Sequence, residues 1–418
     1  MQITLVDALA PHAGTRRAAA ALEAAGHTVA VHALAAEVFA PCQGCFDCWV
    51  TTPGECKIHD AANTLMSDLA AADIAIWIAR PRFGAWDPLA KSALDRTIGL
   101  LLPFFDTVDD ETHHIARYGH YPRWVVLAEG EEDAAFRQLV GRNALNLHEA
   151  PAVVRFLAPD APPDAWEAAA LEATQTVMTT DATPLMITPP APRPSAGPAG
   201  RHVTLLVGSA KPKGTSTSES LGRALVDHLI GHDWTHEIVH LQYVTKHRGL
   251  SPKLRAAAQR ADLLVLASPV YVDCLPALVL EALTQLADAD DLGPTALLPV
   301  VQSGFPELTH CRLAIDLLGR VADTAGWRWA GHLAMGGGGG IDGRPLHRLD
   351  ERVRHQREGL LAAAEALNAG EGLPAEATEA FGTPMMSAGI YRAAGQVGWL
   401  VHSARRGGIW KLWRRPFL

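Results

Sequence analysis

The sequence contains no apolar run long enough to span a bilayer. Its opening, Met1-Gln2-Ile3-Thr4-Leu5-Val6-Asp7, lacks the basic start and apolar stretch of a secretory leader. Both absences lead us to expect a cytoplasmic protein. A cationic surplus is missing as well. The formal net charge is -9, which excludes nucleic acid as a partner of the whole chain and requires local groups to meet any anionic ligand. Cysteine is sparse, six in 418 residues, yet four of the six crowd together as Cys42, Cys45, Cys48 and Cys56. In a reducing compartment that crowding favours metal or redox chemistry over disulfides. What remains is ordinary for a packed protein, 48% hydrophobic and 19% charged, on a chain long enough for two domains.

A stretch rich in Pro, Ala and Gly, running from Thr188 to Pro198, divides the chain. Its composition favours extended, unpacked backbone, as a linker requires. The expected organisation is therefore 1–183, a linker at 184–200, a second domain at 201–370 and a tail at 371–418. Each domain repeats one order of elements. In the second, the expected strands are His202–Val207, Glu237–Leu241, Leu263–Ala267, Ala296–Val301 and Trp327–Met335. Helices are expected near Thr217–Ile230, Pro276–Leu286 and Leu308–Ala325. In the first, Ile3–Val6, Thr28–His32, Ile74–Ala79, Trp124–Ala128 and Val153–Leu157 read as strands, with helices at Thr15–Ala25 and Leu89–Leu100. Strands alternating with helices imply parallel sheets wrapped on both faces. Ala72-Asp73-Ile74 leading to Pro81 matches Ala261-Asp262-Leu263 leading to Pro269, an internal repeat on the scale of a domain.

The second domain carries a loop suited to a phosphate. Gly208-Ser209-Ala210-Lys211-Pro212-Lys213-Gly214-Thr215-Ser216-Thr217-Ser218 follows the first strand and opens a helix. Backbone N–H groups at a helix start converge on an anion, and the helix dipole favours negative charge. Hydroxyls of Ser209, Thr215, Ser216, Thr217 and Ser218 add donors, and Lys211 or Lys213 adds charge. The alternative is a polar surface loop with an N-cap serine. Ser268-Pro269-Val270-Tyr271-Val272-Asp273-Cys274-Leu275-Pro276 and Gln302-Ser303-Gly304-Phe305-Pro306-Glu307 follow later strands and should share the same sheet edge, where ligands of open α/β sheets bind. Tyr271 offers a stacking face for a planar ring. The run Gly336 to Gly340 either leaves room for a ligand or forms a hinge.

Gly208-Ser209-Ala210-Lys211, Ser268-Pro269-Val270-Tyr271 and Gly304-Phe305-Pro306-Glu307 resemble the three flavin loops of the NAD(P)H-dependent FMN reductase group of flavodoxin-like proteins, over about Arg201 to Leu346. With the internal repeat, the expected architecture is two flavodoxin-like, doubly wound, parallel five-stranded sheets in tandem with a helical C-terminal tail. The resemblance implies FMN held non-covalently and NAD(P)H as hydride donor. The implied flavin contacts are Ser209, Lys211, Lys213, Thr215, Ser216, Thr217, Ser218, Pro269, Val270, Tyr271, Val272, Asp273, Ser303, Gly304 and Phe305. No catalytic acid or base is assigned, since in such enzymes the flavin does the chemistry and the protein positions it.

The first domain lacks the phosphate loop. Asp7-Ala8-Leu9-Ala10-Pro11-His12-Ala13-Gly14-Thr15 offers one hydroxyl where the second domain offers five, and it places Asp7 near the expected phosphate. Arg80-Pro81-Arg82-Phe83-Gly84 keeps the shape of the second flavin loop. The distinguishing feature is Cys42-Gln43-Gly44-Cys45-Phe46-Asp47-Cys48 followed by Cys56. This spacing suits a [4Fe–4S] cluster and also zinc, or the thiols stay metal-free. It resembles the compact cysteine motif of the iron–sulfur flavoprotein family. His113 and His114 point in different directions on most backbones, which favours a structural or interface role. Cys274 and Cys311 read as core or near-flavin thiols.

From Phe381 onward there is no acidic residue, and Arg405, Arg406, Lys411, Arg414 and Arg415 sit among Trp399, Trp410 and Trp413. Such a tail either packs on the acidic body, the reading preferred from sequence, or touches an anionic membrane surface or acidic partner. The functional expectation is an FMN-dependent NAD(P)H oxidoreductase delivering electrons to a small acceptor or through a [4Fe–4S] cluster. The alternative is an electron carrier for a redox protein, with the first domain a non-catalytic half of a pseudo-dimer. Association into a homodimer is compatible with either.

Overall fold

The computed structural model describes residues 1–9, 13–37, 39–149, 151–181, 193–245, 249–293 and 295–417. Ala10-Pro11-His12 of the first loop and the greater part of the expected linker lie outside them. The chain divides into two compact units, Met1–Ile187 with Ala393–Leu418, and Thr188–Arg392. The tail expected at 371–418 is thus shared between them.

In the first unit the strands are β1 (Gln2–Asp7), β2 (Thr28–Ala33), β3 (Ile74–Ala79), β4 (Leu101–Val108), β5 (Glu111–Ala116), β6 (Arg123–Glu129) and β7 (Ala152–Leu157). Five of them form a parallel sheet in the order β2-β1-β3-β6-β7. Every residue of β3 is buried, as an apolar strand covered on both faces must be. Ile3, Leu5, Ile76 and Val125 meet Leu22 and Trp166 from flanking helices.

The expected order contains no hairpin, yet β4 and β5 form one. The helix expected over Leu89–Leu100 spans Pro88–Arg96, continues as a 3-10 turn over Thr97–Leu100, and gives way to β4. The hairpin turns at Asp109 and Asp110, both left-handed with φ of 48° and 65°. That conformation suits a tight turn between strands of right-handed twist.

In the second unit β8 (His202–Val207), β9 (Thr235–His240), β10 (Leu263–Pro269) and β11 (Ala296–Gln302) are parallel in the order β9-β8-β10-β11. This is the 2-1-3-4-5 order of flavodoxin-like folds, already met in the first unit. The fifth position corrects the expectation. Trp327–Met335 is not one strand but two short ones, β12 (Arg328–Trp329) and β13 (Leu333–Met335), both paired to β11. Pro299 explains the break. Leu297 accepts from the N–H of Ala330, and Ser303 donates to Met335, so odd-numbered residues of β11 face the last strand. Pro299 falls on that side and has no N–H to give. The last strand leaves the ladder at Ala330-Gly331-His332 and returns beyond the proline.

Candidate functional site

Loops following β8, β10 and β11 leave the same edge of the second sheet. The N–H of Gly208 donates to Ala267 at 2.8 Å and that of Val270 to Gln302 at 2.9 Å, so the loops begin side by side.

The hydroxyl-rich loop after β8 runs into the helix Thr217–Ile230, whose N-cap is Ser216. Ser216 Oγ accepts from the N–H of Glu219 at 3.1 Å, and the N–H groups of Ser216, Thr217 and Ser218 meet no acceptor among the described residues. Such first-turn donors are the feature that receives an anion. Ser209, Ser216, Thr217 and Ser218 are buried. Not all the predicted hydroxyls converge, however. Thr215 is exposed and donates to Pro212 O at 2.6 Å, and Thr217 Oγ1 donates to Gly338 O at 2.9 Å. Ser209 Oγ accepts from the N–H of Lys211 at 3.2 Å, while Lys213 Nζ stands 5.3 Å over the Tyr243 ring.

Glu219 was not among the predicted residues. Its carboxylate accepts from the N–H of Gly214 at 2.6 Å and pairs with Arg223 at 2.8 Å and His240 at 3.1 Å. Burial works against its charge, but these three partners outweigh it and hold the carboxyl below its ordinary value. Sequence carried the signal: Ser216 followed three residues later by Glu219 is a capping-box pattern.

In the second loop, Tyr271-Val272-Asp273-Cys274 is a tight hairpin turn, closed by Tyr271 N to Cys274 O at 2.7 Å and Cys274 N to Tyr271 O at 3.1 Å. Val272 and Asp273 have φ of 51° and 54°. For a β-branched valine this is uncommon and strained, a condition that gathers at ligand sites. The turn aims Asp273 inward, where Oδ1 lies 2.7 Å from His310 Nδ1; both residues are buried. Pro269 ends β10, wholly buried. In the third loop Ser303 Oγ accepts from the N–H of Phe305 at 3.1 Å, Gly304 is exposed, and the Phe305 ring lies 4.8 Å from His310.

The glycine run closes against these loops. Gly337 N–H donates to Phe305 O at 2.7 Å and Gly338 N–H to Ser303 O at 2.9 Å. A Cβ on Gly336 would lie 2.1 Å from the backbone oxygen of Pro306, which unlike a side-chain end cannot swing aside, so close packing, not a hinge, requires glycine there. Tyr391 donates its hydroxyl to Gly304 O at 2.6 Å, and burial raises its pKa to about 12. Arg392 stands 3.5 Å from Glu307. The sequence reading placed neither of these at the loop edge, because only folding carries the chain back across it.

The corresponding positions of the first unit differ. Asp7 Oδ1 accepts from the N–H of Leu9 at 2.8 Å and Oδ2 from Thr15 Oγ1 at 2.7 Å. The degenerate loop thus binds a carboxylate of its own. Arg82-Phe83-Gly84-Ala85 forms the same closed turn as its counterpart, with Phe83 and Gly84 at φ 56° and 75°.

Cys42, Cys45, Cys48 and Cys56 are free thiols, all partly exposed. Burial, then Asp95, pushes the Cys42 thiol up to about 12. Burial, then Cys42, Cys56 and Cys45, raises the Cys48 thiol well above its ordinary value. Among the described residues no group of three or more His, Cys, Asp or Glu is arranged to hold a metal ion. Two buried cations stand around the thiols. Arg96 pairs with Asp60 at 2.9 Å. Arg117 donates to the carbonyls of Gly99, Leu101, Leu412 and Arg414 at 2.7–3.0 Å. Burial lowers the Arg117 pKa, with Tyr118 and then Cys48 working the other way.

The tail packs over this loop. Leu412 is fully buried with Trp49, Val50, Leu102 and Phe104, beside Cys48 and Trp399. Arg406 reaches Asp47 at 2.6 Å. Burial opposes the Asp47 charge, yet hydrogen bonds from Lys57, Thr51 and Cys45 hold its carboxyl at about 2. His114 packs between Trp49 at 4.5 Å and Phe105 at 5.4 Å, and burial pulls its pKa to about 3, while His113 lies buried 3.7 Å from Glu111. Cys274 and Cys311 are both buried.

No protein-family model and no curated protein matches this sequence. Solved structures similar to part of it include an NAD(P)H:quinone oxidoreductase from Methanothermobacter marburgensis, 18% identical over 41% of this chain and 96% of that chain, with a TM-score of 0.31. An azoreductase from Bacillus anthracis str. Sterne is 11% identical over 43% of this chain and 100% of that chain, with a TM-score of 0.30. The strand order, not this likeness, defines the fold. No helix among the described residues is long and apolar enough to cross a membrane.

Proposed function

We propose that this chain is an FMN-dependent oxidoreductase using NAD(P)H and a small electron acceptor, with the flavin held by the second unit. The observation that carries the reading is the gathering of three loops at the carboxyl edge of β8, β10 and β11, one of them a hydroxyl-rich helix start with unclaimed N–H donors. These residues fit FMN. Ser209, Ser216, Thr217 and Ser218 with their backbone donors would hold the phosphate, and Lys211 and Lys213 lie on the same loop. Val270, Tyr271, Val272, Asp273, Ser303, Gly304 and Phe305 border the space for the ring. FMN bound there would supply the hydride-accepting chemistry. The chain binds, orients and shields it. The equal strand order and the paired turns at Arg82 and Tyr271 support a tandem duplication.

The same reading gives the four cysteines a [4Fe–4S] cluster as a second electron centre. Its support is electrostatic. Arg117 is a buried guanidinium whose hydrogen bonds to Gly99, Leu101, Leu412 and Arg414 end on carbonyls, and a cluster ligated by thiolates is anionic. The thiols would need to draw together to ligate it.

The test is anaerobic purification followed by visible and electron paramagnetic resonance spectra, iron and zinc analysis, and chromatography of cofactor released on denaturation. Protein without flavin bands that releases no FMN would end the flavin reading. Absence of iron, with unchanged flavin reduction when all four cysteines become serine, would end the cluster reading. Reducible bound flavin without NAD(P)H turnover in the presence of a quinone would instead mark an electron carrier for a protein partner.

A further inference from the structure

The helix Ala388–Arg405 is apolar on two faces, and only one is covered. From residue 393 its inward side sets Trp399 at 5.4 Å from Phe46 and 5.0 Å from Trp49. Its outward side presents Ala393, Ala394, Val397, Gly398 and Val401, all exposed, and turns polar only in its last turn, at exposed His402 and Arg405. A surface helix ordinarily turns charged and polar residues to water. Beyond it, Trp413 stacks one face on Phe104 at 5.3 Å and remains 50% exposed, while Trp410 is 88% exposed, although an indole ring is seldom left in water without a use.

The cations stand beside these rings. Lys411 follows Trp410, and Arg414 and Arg415 follow Trp413, all exposed. Arg406 and Arg414 approach Asp47 and Glu55, while Arg405, Lys411 and Arg415 project to solvent. No Asp or Glu occurs from Phe381 to the end, in a chain of net charge -9. The body therefore repels an anionic surface and the tail attracts it.

We propose that this tail face is a peripheral contact for an anionic phospholipid bilayer. Trp410, Trp413, Val397 and Val401 enter the boundary between headgroups and acyl chains, and Lys411 and Arg415 meet lipid phosphates. An acidic protein would satisfy the cations but leave the apolar helix face without a partner; a bilayer takes both. The buried side of the same segment, Leu412 and Trp399, fixes it to the first unit, so contact needs no unfolding.

The experiment is sedimentation of the full chain with vesicles of phosphatidylglycerol and phosphatidylcholine in equal parts, against vesicles of phosphatidylcholine alone, with tryptophan emission as a second readout. The expected result is binding to the anionic vesicles only, with a blue shift. Lys411→Gln with Arg415→Gln should weaken it roughly thirtyfold, at about one lipid-facing charge each. Trp410→Ala should weaken it about tenfold. All three positions are exposed, so near-ultraviolet circular dichroism and the melting temperature should not change. Absence from both vesicle types, equal binding to both, or a dimer that Trp410→Ala dissociates would overturn the proposal.

Discussion

After the first strand of each unit a loop leads into a helix, and the two loops place their carboxylates differently. In the first unit Asp7 reaches from the strand end to the Leu9 N–H and the Thr15 hydroxyl. In the second the strand ends without an acid, and Glu219, in the first helical turn, takes only the N–H of Gly214. Its charge is met by Arg223 and His240, and the donors of Ser216, Thr217 and Ser218 are left for something else. A strand-end aspartate sets a carboxylate inside the first loop; a first-turn glutamate turned back toward Gly214 leaves the helix-start donors of the second loop open.

That contrast can be broken or sharpened by substitution. The largest effect should come from Leu412→Ala, which opens the fully buried contact between the tail and the cysteine loop. It should cost about 3 kcal/mol, confined to the first unit, read as movement of one of two calorimetric transitions while flavin content is unchanged. Gly336→Ala places a methyl against the backbone carbonyl of Pro306 and should cost the second unit about 2 kcal/mol and its flavin, leaving the other transition in place. Ser216→Ala removes an N-cap worth about 1 kcal/mol and should weaken FMN about tenfold by fluorescence titration. Thr15→Ala, the matching change beside Asp7, should leave FMN content untouched.

The smallest effect is one of pH. The folded pKa of Glu219 lies below its ordinary 4.5, so its stabilising contribution is present above that value and is lost as pH falls below it. Glu219→Gln should flatten this acid-side loss in the second unit. An acid melt of the same slope in both proteins would show that the carboxylate is not held as described.

Much of the fold was legible because it is written locally. Apolar runs such as Ile74–Ala79 and Leu263–Pro269 are buried strands, and the hydroxyl-rich loop after Val207 does open a helix. What escaped depended on distant partners or on one missing donor. Asp273 and His310 are 37 residues apart, and no spacing rule joins them. The broken fifth strand follows from Pro299 in its neighbour, not from its own residues. The β4–β5 hairpin was readable in principle, since Asp109-Asp110 between two β-prone runs is a turn signal. The four cysteines were located, but their use was not, because spacing alone does not distinguish a cluster, zinc or free thiols.

The return of Ala393–Leu418 to the first unit also bears on how the protein is made. A ribosome delivers the second unit in full before the residues that cover Trp49 and Phe104 exist. Until Ala393–Leu418 follows, Trp49 and Phe104 lack the packing that Leu412 gives them, so the core of the first unit is completed only after the second has been made.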